Sequence, residues 1–299
     1  MSDSLANLRR KIDSAGELLS VVRTMKTIAA ASVVDYEKSV VALADYDRTV
    51  QLGLHTCLKQ QLLHEQANAI ETISKKIKLT TVLVFGSDQG LVGQFNNAIV
   101  DFMVEQVSVM GVKPTIWAVG ERVCARLTDS GLQPSSQFAV PTSVNAIGAL
   151  VTQILLKSET LQNQHPETQF FLFYNRLKAT GLYEPTYQEL LPLDKKWRDD
   201  LVGIEWPSTN LPQIVGDYID TLRSLVSEYL FVSIFRACAE SLASENSSRL
   251  TSMQRADKNI GELLSVLNGR FHKLRQSAID DELFDVISGF EALTVKGLS

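Results

Sequence analysis

Leu5–Leu43 reads LANLRRKIDSAGELLSVVRTMKTIAAASVVDYEKSVVAL. With Leu5 at heptad position a and Leu8 at d, the series runs Leu5, Leu8, Ile12, Ala15, Leu19, Val22, Lys26, Ala29, Val33, Tyr36, Val40 and Leu43. Eleven of these twelve residues are apolar or aromatic, and only Lys26 breaks the rule. Alternating steps of three and four lay one stripe along an α-helix, and several heptads of it make a coiled-coil seam. Asp3 and Ser4 are available as N-caps. A helix over residues 4–48 would run about 65 Å, longer than a compact domain is wide.

The other end behaves alike. Leu250, Met253, Asp257, Ile260, Leu264, Leu267, Phe271, Leu274 and Ala278 keep the same spacing with one exception, Asp257. The stripe then slips by one residue and continues through Ile279, Leu283, Val286, Phe290 and Leu293. Upstream, Ile219, Leu222, Val226 and Tyr229 share the pattern. A helix over residues 213–293 would run about 120 Å. Gly261 and Gly269 weaken it by about 1 kcal/mol each relative to Ala without forbidding it. A long helix with one apolar stripe needs a partner in water. Two arrangements stay open: the ends pair as an antiparallel coiled coil, or they are core helices of a large bundle. Charge is uneven along the last helix. Residues 249–275 carry six Lys/Arg against two Asp/Glu, and residues 276–291 carry five Asp/Glu and no base. Such runs are ordinarily solvated faces, but a rod so charged could meet surfaces of different sign.

Proline agrees with this division. All eight prolines of the 299 residues fall between Pro114 and Pro212, leaving both ends free of helix breakers. Net charge is −5, which disfavours nucleic acid as a partner. No run of 18 apolar residues exists, so no direct membrane span is expected. Residues 1–15 lack the apolar core of a secretory signal. Cys57, Cys124 and Cys238 have neither metal nor disulfide spacing and read as reduced thiols of a cytosolic protein.

The middle alternates strand and helix: strands at Leu79–Phe85, Lys113–Val119, Gln137–Val140, Gln169–Asn175 and Tyr183–Leu191, helices at Phe95–Met110, Glu121–Ser130 and Val144–Lys157. This predicts a mostly parallel, Rossmann-like α/β layer. The fold class is therefore mixed: a long antiparallel coiled coil of terminal helices plus a central α/β domain. The expected divisions are 1–75 (coiled-coil helix and connecting helix, with 49–78 helical), 76–192 (α/β domain), 193–212 (linker) and 213–299 (C-terminal helix).

Gly86–Asn96 (GSDQGLVGQFN) is a glycine-rich turn between strand and helix, a place where phosphates bind. It lacks the Lys-Ser/Thr of a P-loop, and Asp88 stands where a dinucleotide fingerprint needs glycine and would repel phosphate. A tight turn that lets the chain reverse is the plainer reading. His55, His64, His165 and His272 form no metal spacing, and no nucleophile signature occurs. No catalytic residue, cofactor or metal is expected.

Several segments together resemble the gamma subunit of rotary F-type ATP synthases. Val22–Ala31 (VRTMKTIAAA) is similar to the family's N-terminal helix, with a basic residue, a Met and an alanine-rich stretch. Gly86–Asn96 resembles its Ser-Asp-x-Gly-Leu-x-Gly-x-Asn turn. Ala239–Met253 (AESLASENSSRLTSM) resembles its Glu-x-x-Ala-Ser-Glu-x-x-x-Arg-x-x-x-Met segment, and Lys273–Ile279 (KLRQSAI) its Lys-x-Arg-Gln-x-x-Ile segment. The resemblance implies a non-catalytic rotor shaft threading a ring of alpha and beta subunits, whose beta subunits hold the catalytic sites. The α/β foot would sit beside the epsilon subunit and a membrane rotor ring of c subunits, on the cytoplasmic side of a bacterial inner membrane. Ion flow would turn the shaft. Arg23 and Met25 match positions facing the moving ring; Arg275 and Gln276 match positions touching beta-subunit loops, with Asp280 beside them. Ala29–Ala31 would keep the shaft thin.

The chain departs from that pattern in places. Ser32-Val33-Val34-Asp35 stands where the family is Lys-rich, Asp280 replaces a Thr, and Phe290-Glu291 replace small residues. These departures imply a divergent or alternative ATP synthase. The long cysteine-bearing insertion of light-regulated chloroplast versions is absent, so no thiol switch is expected. Two other classes compete: a nucleotide-binding α/β enzyme with dimerising helical arms, and a static coiled-coil scaffold.

Overall fold

A computed structural model describes residues 4–65, 79–165, 168–178, 181–193, 195–210 and 212–296. In chain order the elements are α1 (Leu5–Glu65), β1 (Leu79–Phe85), α2 (Phe95–Met110), β2 (Thr115–Val119), α3 (Glu121–Asp129) and β3 (Ser136–Phe138). They continue with α4 (Val144–Gln164), β4 (Thr168–Leu177), β5 (Tyr183–Leu191), α5 (Lys195–Val202) and α6 (Tyr218–Lys296). Two compact units form, Met1–Ile28 with Leu250–Ser299, and Ala29–Arg249.

In the larger unit a five-stranded sheet has the order β3-β2-β1-β4-β5. The first four strands are parallel, and β5 returns antiparallel to β4. Strand β1 explains the layering, since its side chains alternate between two buried faces. Val82 and Val84 join Ile99, Met103, Val123 and Leu127 from α2 and α3. Leu83 and Phe85 join Ile147, Val151 and Ile154 of α4, together with Tyr36 of α1 and Ile234 and Leu242 of α6. Within this unit α1 and α6 run antiparallel: the Tyr218 hydroxyl donates to the Cys57 carbonyl, and farther on Arg236 pairs with Asp47 at 3.6 Å.

Residues 193–212, expected as a linker, contain α5. Leu201 and Trp197 pack on Val50, Leu54 and Tyr229, and the buried His55 ring donates from Nδ1 to the Leu201 carbonyl at 2.9 Å and stacks on Trp206. The last helix starts at Tyr218 rather than at 213. Gly216 takes φ 104°, and the Asp217 carboxylate caps the new helix by accepting from the Asp220 N–H at 2.9 Å. Strand β2 starts after Pro114, and α4 continues past Lys157 to Gln164. Of the helix expected over 49–78, α1 supplies residues through Glu65, and 66–78 lie outside the described residues.

In the smaller unit, Ser4 caps α1, its hydroxyl accepting from the Asn7 N–H. The heptad pattern is visible in burial: d residues Leu8, Ala15 and Val22 are buried, and a residues Leu5, Ile12, Leu19 and Lys26 are half-buried. On α6, Met253 and Leu267 are buried, with Ile260, Leu264 and Phe271 half-buried. The two helices of this unit are tied by Asp257 of α6, which takes Lys26 and Arg23 of α1 as ion-pair partners.

Candidate functional site

Two sites follow from the sequence, one in each unit. The Gly86–Asn96 turn belongs to the larger. Gly86 is required by space, because a Cβ there would lie 2.3 Å from Val123 Cβ. Ser87 and Asn96 then lock the turn: the Asn96 carboxamide oxygen accepts from the Ser87 N–H at 3.0 Å, and its NH₂ donates to Ser87 Oγ at 2.9 Å. Leu91 takes φ 63° and is exposed, a strained conformation for a residue with a γ-branched side chain. The Ser248 hydroxyl of α6 donates to the Val92 carbonyl, and Asn175 of β4 donates to the Phe95 carbonyl.

Asp88 of this turn is held by two backbone donors from outside it. Its Oδ1 accepts from the Glu121 N–H at 2.9 Å, at the first residue of α3, and its Oδ2 accepts from the Val140 N–H at 3.0 Å. The N-terminus of a helix attracts anions through its free N–H groups and its dipole. Here the chain's own carboxylate takes that place at α3, whereas the glycine-rich turn itself leads into α2, whose N-terminus has no side-chain cap.

Beside Asp88 lies a polar cavity of about 210 Å³ lined by Ser32, Tyr36, Glu245, Asn246 and Arg249 among others. Arg249 donates to Glu245 Oε1 at 2.6 Å, an i,i+4 pair in which Glu245 is buried and Arg249 mostly so. Burial pushes the Glu245 carboxyl above its ordinary range, and the Arg249 guanidinium pulls it back. Both residues belong to the Ala239–Met253 segment that carries the family resemblance, as its second Glu and its Arg, but the sequence reading gave the pair no role. Among the described residues no group of three or more His, Cys, Asp or Glu could hold a metal ion, and no helix is long and apolar enough to cross a membrane.

The residues carried over from the resemblance all fall in the smaller unit. Arg23, Arg275, Gln276 and Asp280 are exposed, and Met25 is half-buried. They form two groups. Arg23 lies against Asp257, whereas Arg275 is 275 − 257 = 18 residues farther along α6, about 27 Å at 1.5 Å per residue. Gln276 and Asp280 are four apart and share one face of α6. From His272 to Ser288 every α6 residue is exposed, including Ile279, Leu283, Phe284, Val286 and Ile287. For the residues past Ala278, antiparallel pairing through Lys26 and Asp257 gives the reason: stepping 21 residues back along α1 reaches Leu5, and stepping 21 forward along α6 reaches Ala278, so α1 ends there. The side chains of Phe290 and Glu291 lie outside the described residues.

The family profile described as ATP synthase matches residues 4–293. An "ATP synthase gamma chain" from Nostoc punctiforme is 27% identical, with 97% of this chain and 99% of the relative aligned. One from Magnetococcus marinus is 24% identical over the same shares. The "ATP synthase subunit gamma, chloroplastic" of Zea mays is 26% identical, with 97% and 89% aligned. Among solved structures, a chain of the Euglena gracilis mitochondrial ATP synthase superposes with a TM-score of 0.61 at 15% identity, covering 99% of this chain and 96% of that one. A central-stalk chain of the Tetrahymena thermophila enzyme gives 0.55 at 21% identity, covering 79% and 99%. These structural matches share the five-stranded mixed sheet with long terminal helices.

Proposed function

Because the chain belongs to the ATP synthase family and aligns end to end with its gamma chains, we infer that it is the central-stalk subunit and that its terminal helix pair works as a rotor shaft. The observation that carries this reading is the tip of α6. Exposed apolar side chains continue for several turns past the last residue that α1 can cover. Contiguous exposed apolar surface calls for a protein partner.

The partner we assign to the tip is the ring of alpha and beta subunits, with the catalytic sites on the beta subunits and none on this chain. The larger unit would contact the epsilon subunit and the ring of c subunits, placing the protein peripherally on the cytoplasmic side of a bacterial inner membrane. An asymmetric shaft can bias a ring only if each orientation stabilises one set of ring conformations over another. Arg23 and Met25 on α1, and Arg275, Gln276 and Asp280 on α6 about 27 Å farther from Asp257, are the residues to which we give that differential contact. Ion flow through the membrane sector would then drive ATP synthesis, and hydrolysis would run the shaft backwards.

Co-expression with alpha and beta subunits tests the assignment: an ATPase-active complex holding one copy of this chain is expected, and its failure to form would sink the reading. Arg275→Ala with Gln276→Ala should lower proton or sodium pumping per ATP hydrolysed while the complex still assembles. Unchanged coupling would remove both residues from the mechanism. Calorimetry of the isolated chain with ATP or NAD should show no binding, as a non-catalytic shaft subunit leads one to expect; saturable binding would favour a nucleotide-dependent enzyme instead.

A further inference from the structure

Where α1, α6, β4 and β5 meet in the larger unit, two arginines share one buried carboxylate. Arg176 of β4 donates from Nε to Glu240 Oε2 at 3.0 Å, and Arg236 of α6 donates from Nε to Glu240 Oε1 at 3.0 Å. Arg176 also donates from Nη2 to the Tyr174 hydroxyl at 3.3 Å. Arg236 Nη1 lies 3.6 Å from Asp47 Oδ2, beyond hydrogen-bond length. Arg176 Nη1 and Arg236 Nη2 bond to no described residue. Both guanidinium groups line a cavity of about 150 Å³, together with Gln51, Gln188 and Ser233. None of those three side chains is hydrogen-bonded to another described residue.

We propose that this cavity binds a small tetrahedral oxyanion of the phosphate class. The sign of the ligand follows from the donors. A guanidinium carries N–H groups, no acceptor and a permanent charge, so the unspent edges of Arg176 and Arg236 can be met only by an acceptor. Both arginines are anchored on the same Glu240 carboxylate, which keeps them close enough to share one ion. A tetrahedral ion offers four oxygens to the two guanidinium groups, the Gln51 and Gln188 amides and the Ser233 hydroxyl, whereas a carboxylate offers only two. Size sets the upper limit. Small-molecule pockets run about 300–1,000 Å³, so at about 150 Å³ the cavity suits an inorganic ion and is too small for a nucleotide. Strength follows from charge. Glu240 and Asp47 balance the two arginines, and a neutral cluster holds an anion only at millimolar concentration. Within it Glu240 positions the arginines, while Asp47 opposes the ligand.

Calorimetric titration of the full chain with sodium phosphate, against sodium chloride at matched ionic strength, tests the site. Saturable binding of phosphate is expected, with sulfate similar and acetate weaker. Asp47→Asn removes the opposing charge and should tighten phosphate about twofold to fivefold at low salt and less at high salt. Gln188→Glu places a carboxylate at the cavity without touching the Glu240 bonds and should abolish saturation. Arg236→Gln should abolish it too. If that variant loses helix content by circular dichroism, Asp47→Asn and Gln188→Glu decide in its place. No phosphate-specific binding by the unaltered chain would overturn the proposal. So would binding that Gln188→Glu leaves intact or that Asp47→Asn fails to tighten, since either marks an adventitious ion only.

Discussion

Three acidic side chains show how one charge type is handled in three surroundings. Asp88 is absorbed by backbone N–H groups at the α3 N-terminus, Glu245 by a buried arginine, and Asp257 by two cations on α1. The Lys26 and Arg23 hydrogen bonds hold the Asp257 carboxyl below its ordinary value of 3.8. A carboxylate with a lowered folded-state pKa contributes stability that is present above the unfolded value and lost as pH falls through the folded one. Helix pairing in the smaller unit should therefore weaken below about pH 4, and Asp257→Asn should flatten that dependence in a pH series of thermal melts. An unaltered series would remove Asp257 from the acid response. Gly86→Ala should destabilise the larger unit by about 2 kcal/mol or more, since the added methyl meets the Val123 side chain inside a packed core; urea midpoints measure it. Burial pushes the Cys57 and Cys238 thiols up, so thiol reagents should label the half-buried Cys124 first under native conditions.

At the scale of elements, the long helices were legible because their period is. A heptad count needs only residue spacing, and the d residues Leu8, Ala15 and Val22 lie buried where the count put them. Strand β1 was equally plain, since a strand buried on both faces is apolar throughout. What spacing cannot show is which interruptions meet. Lys26 and Asp257 read as two separate faults in two stripes, and their pairing depends on the antiparallel register. Helix α5 was missed because two tryptophans and two prolines in 193–212 suggest a loop, while its helicity depends on packing against α1 and Tyr229. The Glu245–Arg249 pair was hidden for a similar reason, as burial is a tertiary property. Gly261 and Gly269 are a different case. A Cβ at either would meet nothing within 4 Å, so packing does not demand them. Gly261→Ala and Gly269→Ala should each stabilise α6 by up to about 1 kcal/mol, seen as a raised thermal midpoint; a drop would mean that the glycines have a contact the free chain does not display.

For the whole molecule, the distinction between self-sufficient and partner-dependent surface is the informative one. The sheet and its covering helices bury Phe85, Phe170, Phe173 and Ile154 completely, whereas the α6 tip leaves Leu283 and Phe284 in solvent. Leu283→Ser with Phe284→Ser should accordingly leave the melting of the isolated chain within about 0.5 kcal/mol of wild type and weaken assembly with alpha and beta subunits, as followed by native mass spectrometry. The resemblance and the family match agree on a central-stalk subunit, and rotation is the property that separates such a subunit from a static scaffold. The direct measurement fixes the alpha/beta ring to a surface, attaches a bead to the larger unit through a cysteine introduced at exposed Asp129, and adds ATP. Unidirectional stepwise rotation of the bead is the expected result; a bead that stays fixed, or only fluctuates, in a complex that hydrolyses ATP would contradict the account.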